Sequence, residues 1–343
     1  MPKANRLRLI ERLQKVRGSH VISYLTSTRP GMEVHMAMDS IRIIFEHLSL
    51  AEPKEWGNID LFLYSNGGDG IVPWRLVTLL REKAKKLSVL IPYRAFSAAT
   101  LTALGADAVV MHPMGMMGPT DPTVNTPFNP IDPMNPPNRI GINVEDVTAF
   151  IALIKEDAEI HHEDELVLAF NKLAEQVHPL ALGSVKRFLS QSRMMARKLL
   201  SLHIDASKNQ HKIDEIVDSF TSKLFYHGHP INRLEAKTEI GLTTVENPTL
   251  EVEQVMWNLY LDYEKEMQLL EPFQPAYEFV SKNPSLAPGQ QAITPITTSK
   301  LAFIESEMRT DFLQMEYELS GQREPTGVTK VQFLPRSQGW ETE

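Results

Sequence analysis

Apolar positions change their spacing several times along this chain, and each change marks an element. Residues 20–25 (HVISYL) alternate and are rich in β-formers, which predicts a first core strand. Pro30-Gly31 then signals a turn. Val34, Met38, Ile41, Phe45 and Leu48 recur at helical spacing, predicting an amphipathic helix over about 33–50. Ile59 to Tyr64 reads as the second strand. Val72 to Lys86 reads as the second helix, its lysine-rich last turn suited to the negative end of the dipole. Ser88 to Pro92 and Ala108 to Met111 are further strands, separated by an apolar, alanine-rich helix that opens at Ser97. Strand and helix alternate, so the expected fold is α/β with a largely parallel sheet. In such sheets ligands gather at the carboxyl ends of the strands.

The pattern changes after residue 118. Seven prolines stand between 119 and 137, a density that no helix or central strand survives. This stretch is expected to be a mobile flap or groove wall leaving the candidate site. Helical stripes then dominate: Val147, Phe150, Ile151, Ile154 and Ala158, followed by patterns over 163–177, 181–204, 211–224 and 249–270. Beyond SKNPSLAPGQQ (281–291), alternating Thr, Ile, Phe and charge predict antiparallel strands. The expected organisation is therefore a basic helical arm at 1–18, a main domain at 19–284 and a small β-rich extension at 285–343.

Composition narrows the function classes. The chain has 343 residues, 42% hydrophobic and 23% charged, enough for a sizeable core. A net charge of −8 argues against a general nucleic-acid or anionic-membrane binder. With no cysteine there can be no disulfide, thiolate nucleophile or cysteine-held zinc. The basic N-terminal segment lacks the uninterrupted apolar stretch of a signal peptide and reads as a solvated helix. No run of roughly eighteen apolar residues predicts a membrane span. The expectation is a soluble, cytoplasmic protein without a cofactor or a metal.

Two stretches carry candidate chemistry. LYSNGGDG (63–70) closes a strand in a glycine pair, whose backbone N–H groups can approach a ligand closely. YRAFSAATLTALGA (93–106) sets Ser97 at the head of a helix, where the dipole favours developing negative charge. The pair describes a nucleophile, Ser97, facing an oxyanion cradle of Gly67 or Gly68 N–H together with the N–H of Ala98. Each stretch alone has a plainer reading, a turn and an N-cap. His227 and His229 (YHGHP) lack a third ligand nearby and make no metal site; His161 and His162 read as surface.

In this order the SNGGD loop, the AFSAATLTALGAD serine helix, the MGPTDP loop and FYHGHPINRLEAKTEIGL (225–242) resemble the ClpP/crotonase superfamily. Within it the resemblance is to the serine dehydrogenase proteinase group, related to signal peptide peptidase A. It covers about 20–245 and implies a ClpP/crotonase-like fold of stacked βαβ units, a helical middle segment and peptide-bond hydrolysis through Ser97. Where ClpP-type enzymes carry a histidine, this chain has Thr120 and Asp121; His112 falls too early. Signal peptide peptidases use a Ser-Lys dyad instead, and the first lysine after Ser97 is Lys155, in LIKED. Lys155 is therefore the nominated base, against the plainer reading of a lysine on a wet, charged helix face. Asp121 is a candidate polar partner, against that of a turn cap before proline.

The implied activity is that of a serine peptidase acting on peptides or proteins, in a homo-oligomer as relatives are. The alternative is a non-proteolytic oligomeric scaffold that keeps the cradle but lacks a competent base. Acyl-CoA chemistry of the crotonase type would use the cradle without a serine nucleophile.

Overall fold

A computed structural model describes residues 2–50, 56–120, 123–221, 228–324 and 329–343. The chain opens with α1 (Pro2–Arg17), β1 (His20–Thr26), α2 (Asp39–Leu50), β2 (Trp56–Tyr64), α3 (Val72–Lys83) and β3 (Ala84–Ile91). A short β4 (Arg94–Ala95) leads into α4 (Ala98–Leu104), β5 (Ala108–Met111) and β6 (Met116–Met117). Then come β7 (Thr123–Val124), β8 (Ile142–Asn143), α5 (Val144–Ala152), a π-helical turn (Leu153–Asp157), α6 (Glu163–Gln176), α7 (Pro179–Leu200) and α8 (Ala206–Thr221). After β9 (Ile231–Asn232), α9 (Arg233–Thr238) and β10 (Val245–Glu246) the chain forms α10 (Leu250–Glu266) and α11 (Pro275–Lys282). It closes with β11 (Gln291–Ile293), β12 (Thr297–Glu305), β13 (Thr310–Arg323) and β14 (Thr329–Thr342).

The central sheet runs β10-β5-β3-β2-β1-β12-β13-β11, with β14 also on β13. From β10 to β1 every pairing is parallel; β12 joins β1 antiparallel, Ser23 opposite Glu305. The βαβ alternation read from the pattern is thus the observed fold, and the C-terminal strands continue the same sheet.

Both faces of the parallel strands are covered, which is why β2, β3 and β5 read as apolar runs. Ile22, Leu61, Leu63, Val89 and Ile91 point to one side, against α2, α3, α4, α7 and α8. Val21, Leu25, Phe62, Leu90 and Val110 point to the other, where α1 and α10 supply Ile10, Leu13, Val255, Met256 and Tyr263. The period of two along each strand sorts these residues between the layers.

Three elements depart from the sequence pattern. Helix α2 begins at Asp39 because the preceding residues are drawn out as an extended segment: Met36 bridges Gly68 in parallel. Helix α3 stops at Lys83, and Lys85 and Lys86 enter β3 opposite β2. Helix α1 is packed on the sheet, not solvated. Its Ile10 and Leu13 are fully buried, and Arg6 Nε donates to Glu305 Oε2 at 2.9 Å.

The proline-rich stretch has internal order. β7 pairs β8 antiparallel, and buried Asn129 donates to Val124 O (2.6 Å) and Ile140 O (2.9 Å), tying the loop across its base. Val124, Ile142 and Val144 pack on Ala181, Val185 and Leu189 of α7, whose other end enters the main core. α5, the π turn and α6 project from this base with Leu153, Val167, Leu168 and Phe170 exposed. Among the described residues no helix is long and apolar enough to cross a membrane.

Candidate active site

Ser97 occupies a turn between β4 and α4 with φ 52° and ψ −114°. Positive φ at a residue with a Cβ costs on the order of 1–3 kcal/mol and persists only where surrounding bonds impose it. Those bonds are present. Ser65 N–H donates to Arg94 O (3.0 Å) and Phe96 N–H donates to Ser65 O (3.0 Å), fixing the entry to the turn on the end of β2. Leu101 N–H donates to Ser97 O (3.0 Å), fixing the exit. The Thr100 hydroxyl lies 2.7 Å from Ala95 O and 2.8 Å from Gly118 O, one of which accepts its proton, and itself accepts the Gly118 N–H (3.2 Å), lashing α4 to the root of the proline-rich loop.

The glycine pair meets this turn directly. A Cβ on Gly67 (φ 98°) would lie 2.6 Å from Phe96 O, 2.7 Å from Ser97 Cβ and 2.8 Å from Ala98 N. One on Gly68 would run into the backbone of Met36, so no side chain fits at either position. The two N–H groups differ in occupation. Gly67 N–H donates to Ser65 Oγ (3.0 Å), itself 2.7 Å from Thr26 Oγ1. Met36 N–H donates to Gly67 O (2.8 Å) and Asp69 N–H to Met36 O (2.9 Å). In that parallel ladder the N–H of Gly68 points away from Met36. The structure thus brings Ser97, Gly67, Gly68 and Ala98 into one cluster at the carboxyl edge of β2.

Two features beside the turn escaped the sequence reading, Arg94 and the Tyr64–Thr28 pair. Arg94 Nη1 donates to Asn66 Oδ1 (3.3 Å), and its guanidinium lies over the rings of Phe96 and Tyr93. An arginine three residues before the serine was the available signal. Tyr64 OH and Thr28 Oγ1 are 2.5 Å apart on the neighbouring strand end. His112 stacks on Trp257 with centroids 4.9 Å apart, and its Nδ1 accepts the Met114 N–H (3.0 Å). Burial holds its pKa below the ordinary histidine value, an effect opposed by Glu253.

Lys155 is exposed on the π turn closed by Ala158 N–H to Leu153 O (2.9 Å). It borders a cavity of about 280 Å³ with Ile151, Ile154, Leu166, Val167 and Phe170. No hydrogen bond or ion pair among the described residues joins it to Ser97. Asp121 and His227 lie outside the described residues; Thr120, just before Asp121, is held by its N–H to Phe220 O (2.8 Å) and by Ser192 Oγ to its own O (2.6 Å). His178 caps α7 by accepting the Leu180 N–H, and His229 pairs with Glu235 at 2.7 Å. The described residues contain no group of three or more potential metal ligands.

Ser97 is thus half-buried on a forced turn and backed by glycines at a strand end. The family model for the ClpP-like SDH-type serine proteinase matches residues 2–177, and the chain belongs to that family. An uncharacterised protein of Methanocaldococcus jannaschii is 28% identical over 118 residues, which are 33% of this chain and 40% of that protein. Two variant structures of the 1510-N membrane-bound stomatin-specific protease, one with a substrate peptide, are 15% and 13% identical to it. They cover 44% and 71% of this chain and 69% and 99% of their own, each with a TM-score of 0.27.

Proposed function

We propose that this chain is a serine peptidase in which Ser97 is the nucleophile. The observation that carries the reading is the forced turn at Ser97, whose Cβ fills the space that a side chain on Gly67 would need. Ser97 Oγ attacks the scissile carbonyl carbon and gives its proton to a base. Negative charge then collects on the carbonyl oxygen, where Gly68 N–H and Ala98 N–H are the two donors, since Gly67 N–H already serves Ser65. The tetrahedral species collapses, the amine leaves with a proton, and water hydrolyses the acyl-serine by the reverse sequence.

Lys155 is the proposed base. Two features support it: it borders an apolar cavity, and it rides a π-helical turn, a distortion found often at functional sites. A lysine acts as base only when dehydrated enough to shed its proton. In this reading the exposed arm of α5 and α6 is covered in the working form, by a second copy or by the peptide substrate. Exposed Val167, Leu168 and Phe170 suit such a cover. Asp121 remains a proposed polar partner at the root of the loop.

A second reading, a non-proteolytic oligomeric scaffold, is favoured by the exposure of Lys155. Fluorophosphonate labelling followed by intact mass decides between them. The peptidase reading expects one adduct, lost in Ser97→Ala, with peptide hydrolysis lost in Lys155→Ala and Lys155→Arg alike, because guanidinium holds its proton. Absence of any adduct between about pH 6 and 10 overturns it.

A further inference from the structure

A larger cavity, of about 730 Å³, opens where the loop after β1 meets α11 and the start of β12. Arg29 lines it and is only 8% exposed. Its Nε donates to Glu271 O (2.7 Å), and its guanidinium carbon is 5.8 Å from the centroid of Phe273. Neither Nη group has a hydrogen-bond partner among the described residues. The nearby carboxylate of Glu278 is already engaged by Tyr317 OH (2.9 and 3.0 Å) and by Lys282 Nζ (2.6 Å). The guanidinium is held in place through Nε while its Nη groups face the cavity, where they are open to an anion.

We propose that this cavity binds a carboxylate, that of the free C-terminus of a peptide, with both oxygens on the Nη groups of Arg29. Guanidinium and carboxylate match as two parallel N–H···O bonds. Thr298 offers a hydroxyl at the rim. The exposed Tyr277 and Leu270 offer an apolar wall to the last side chain, which is why a peptide suits the cavity better than a small free acid. The loop that carries Arg29 continues to Met36, the residue that bridges Gly68, so the cavity and the glycine pair lie along one edge of the sheet. The site does not depend on Ser97 being a nucleophile.

The test uses the full chain carrying Ser97→Ala, so that no turnover interferes, and reads fluorescence anisotropy of an N-terminally labelled tetrapeptide with an apolar last residue. The free-acid peptide is expected to bind about tenfold tighter than its C-terminal amide. Arg29→Gln should erase that preference and Arg29→Lys should restore part of it. If Arg29→Gln lowers Tm, Thr298→Val decides, weakening the acid peptide while leaving the amide unchanged. Sodium acetate should displace the peptide only far above the peptide's own Kd; acetate competing on equal terms overturns the peptide assignment. Equal affinity for acid and amide, no binding of either, or a preference that survives both substitutions overturns the site. Fluorophosphonate labelling, read on the unsubstituted protein, keeps failure of this site separate from failure of the peptidase reading.

Discussion

Ser97 and Gly67 touch: the space that a methyl group on Gly67 would need is already taken by Ser97 Cβ, 2.7 Å away, and by Phe96 O, 2.6 Å away. The backbone at Ser97 and the glycine loop are therefore one packed unit, and a change in either is felt in the other.

Gly67→Ala is expected to destabilise the fold by about 1–3 kcal/mol, since the clash is with backbone and φ is positive. Gly70→Ala, with nothing within 4 Å of the added methyl, should stay near wild type. Urea midpoints measured side by side check this; equal midpoints for the two variants would show that the turn yields.

Ser97→Gly should raise stability by about 1 kcal/mol, because glycine accepts positive φ without the steric penalty. Ser97→Ala keeps the Cβ and should stay within about 1 kcal/mol of wild type. Both should lose the fluorophosphonate adduct. A lower melting temperature for the glycine variant would mean that the turn stores no strain.

Acid should weaken the fold before the carboxylates titrate. Burial, with the field of His47, pushes His20 down to about 4. Burial likewise lowers His47, against the pull of Asp311, whose Oδ2 is 2.9 Å from its Nε2. The folded state thus favours the neutral rings, so this stability is whole above about pH 6.5 and is lost as pH falls toward 4. For His20 alone the loss is on the order of 3 kcal/mol. His20→Leu should flatten the stability curve between pH 6.5 and 4, and an unchanged slope would remove His20 as its source.

Arg6→Ala should cost about 3–5 kcal/mol by leaving Glu305 buried without its cation. Glu305 also accepts from Tyr263 OH (2.6 Å) and Thr310 Oγ1 (2.8 Å), so the carboxylate cannot swing out to water. Denaturant unfolding measures this, and a loss under about 1 kcal/mol would return α1 to the status of a loose arm.

Local signals carried much of this protein. Strand β5 spans the same residues, Ala108–Met111, that the apolar run marks, because both faces of that strand are buried and nothing else competes for it. The glycine pair was legible for a similar reason, because its backbone geometry follows from its own residue type, whereas the positive φ at Ser97 is imposed by bonds from Ser65 and Leu101. That the chain is an α/β protein with a serine at a helix head and a glycine loop at a strand end was determined by the sequence alone.

Tertiary structure decided whatever depends on partners far away in the chain. Helical spacing continues back through Val34, but residues before Asp39 are extended because Met36 gains two backbone bonds from the Gly68 loop. Arg6 is a surface residue by composition, yet it is buried because Glu305, far along the chain, lies on the strand that joins β1. The occupation of Gly67 N–H turned on the hydroxyl of Ser65, and the unfilled fork of Arg29 on Glu271 and the floor of a cavity. Propensity acts over neighbours along the chain, whereas pairing and burial act over neighbours in space, and only the fold makes those neighbours.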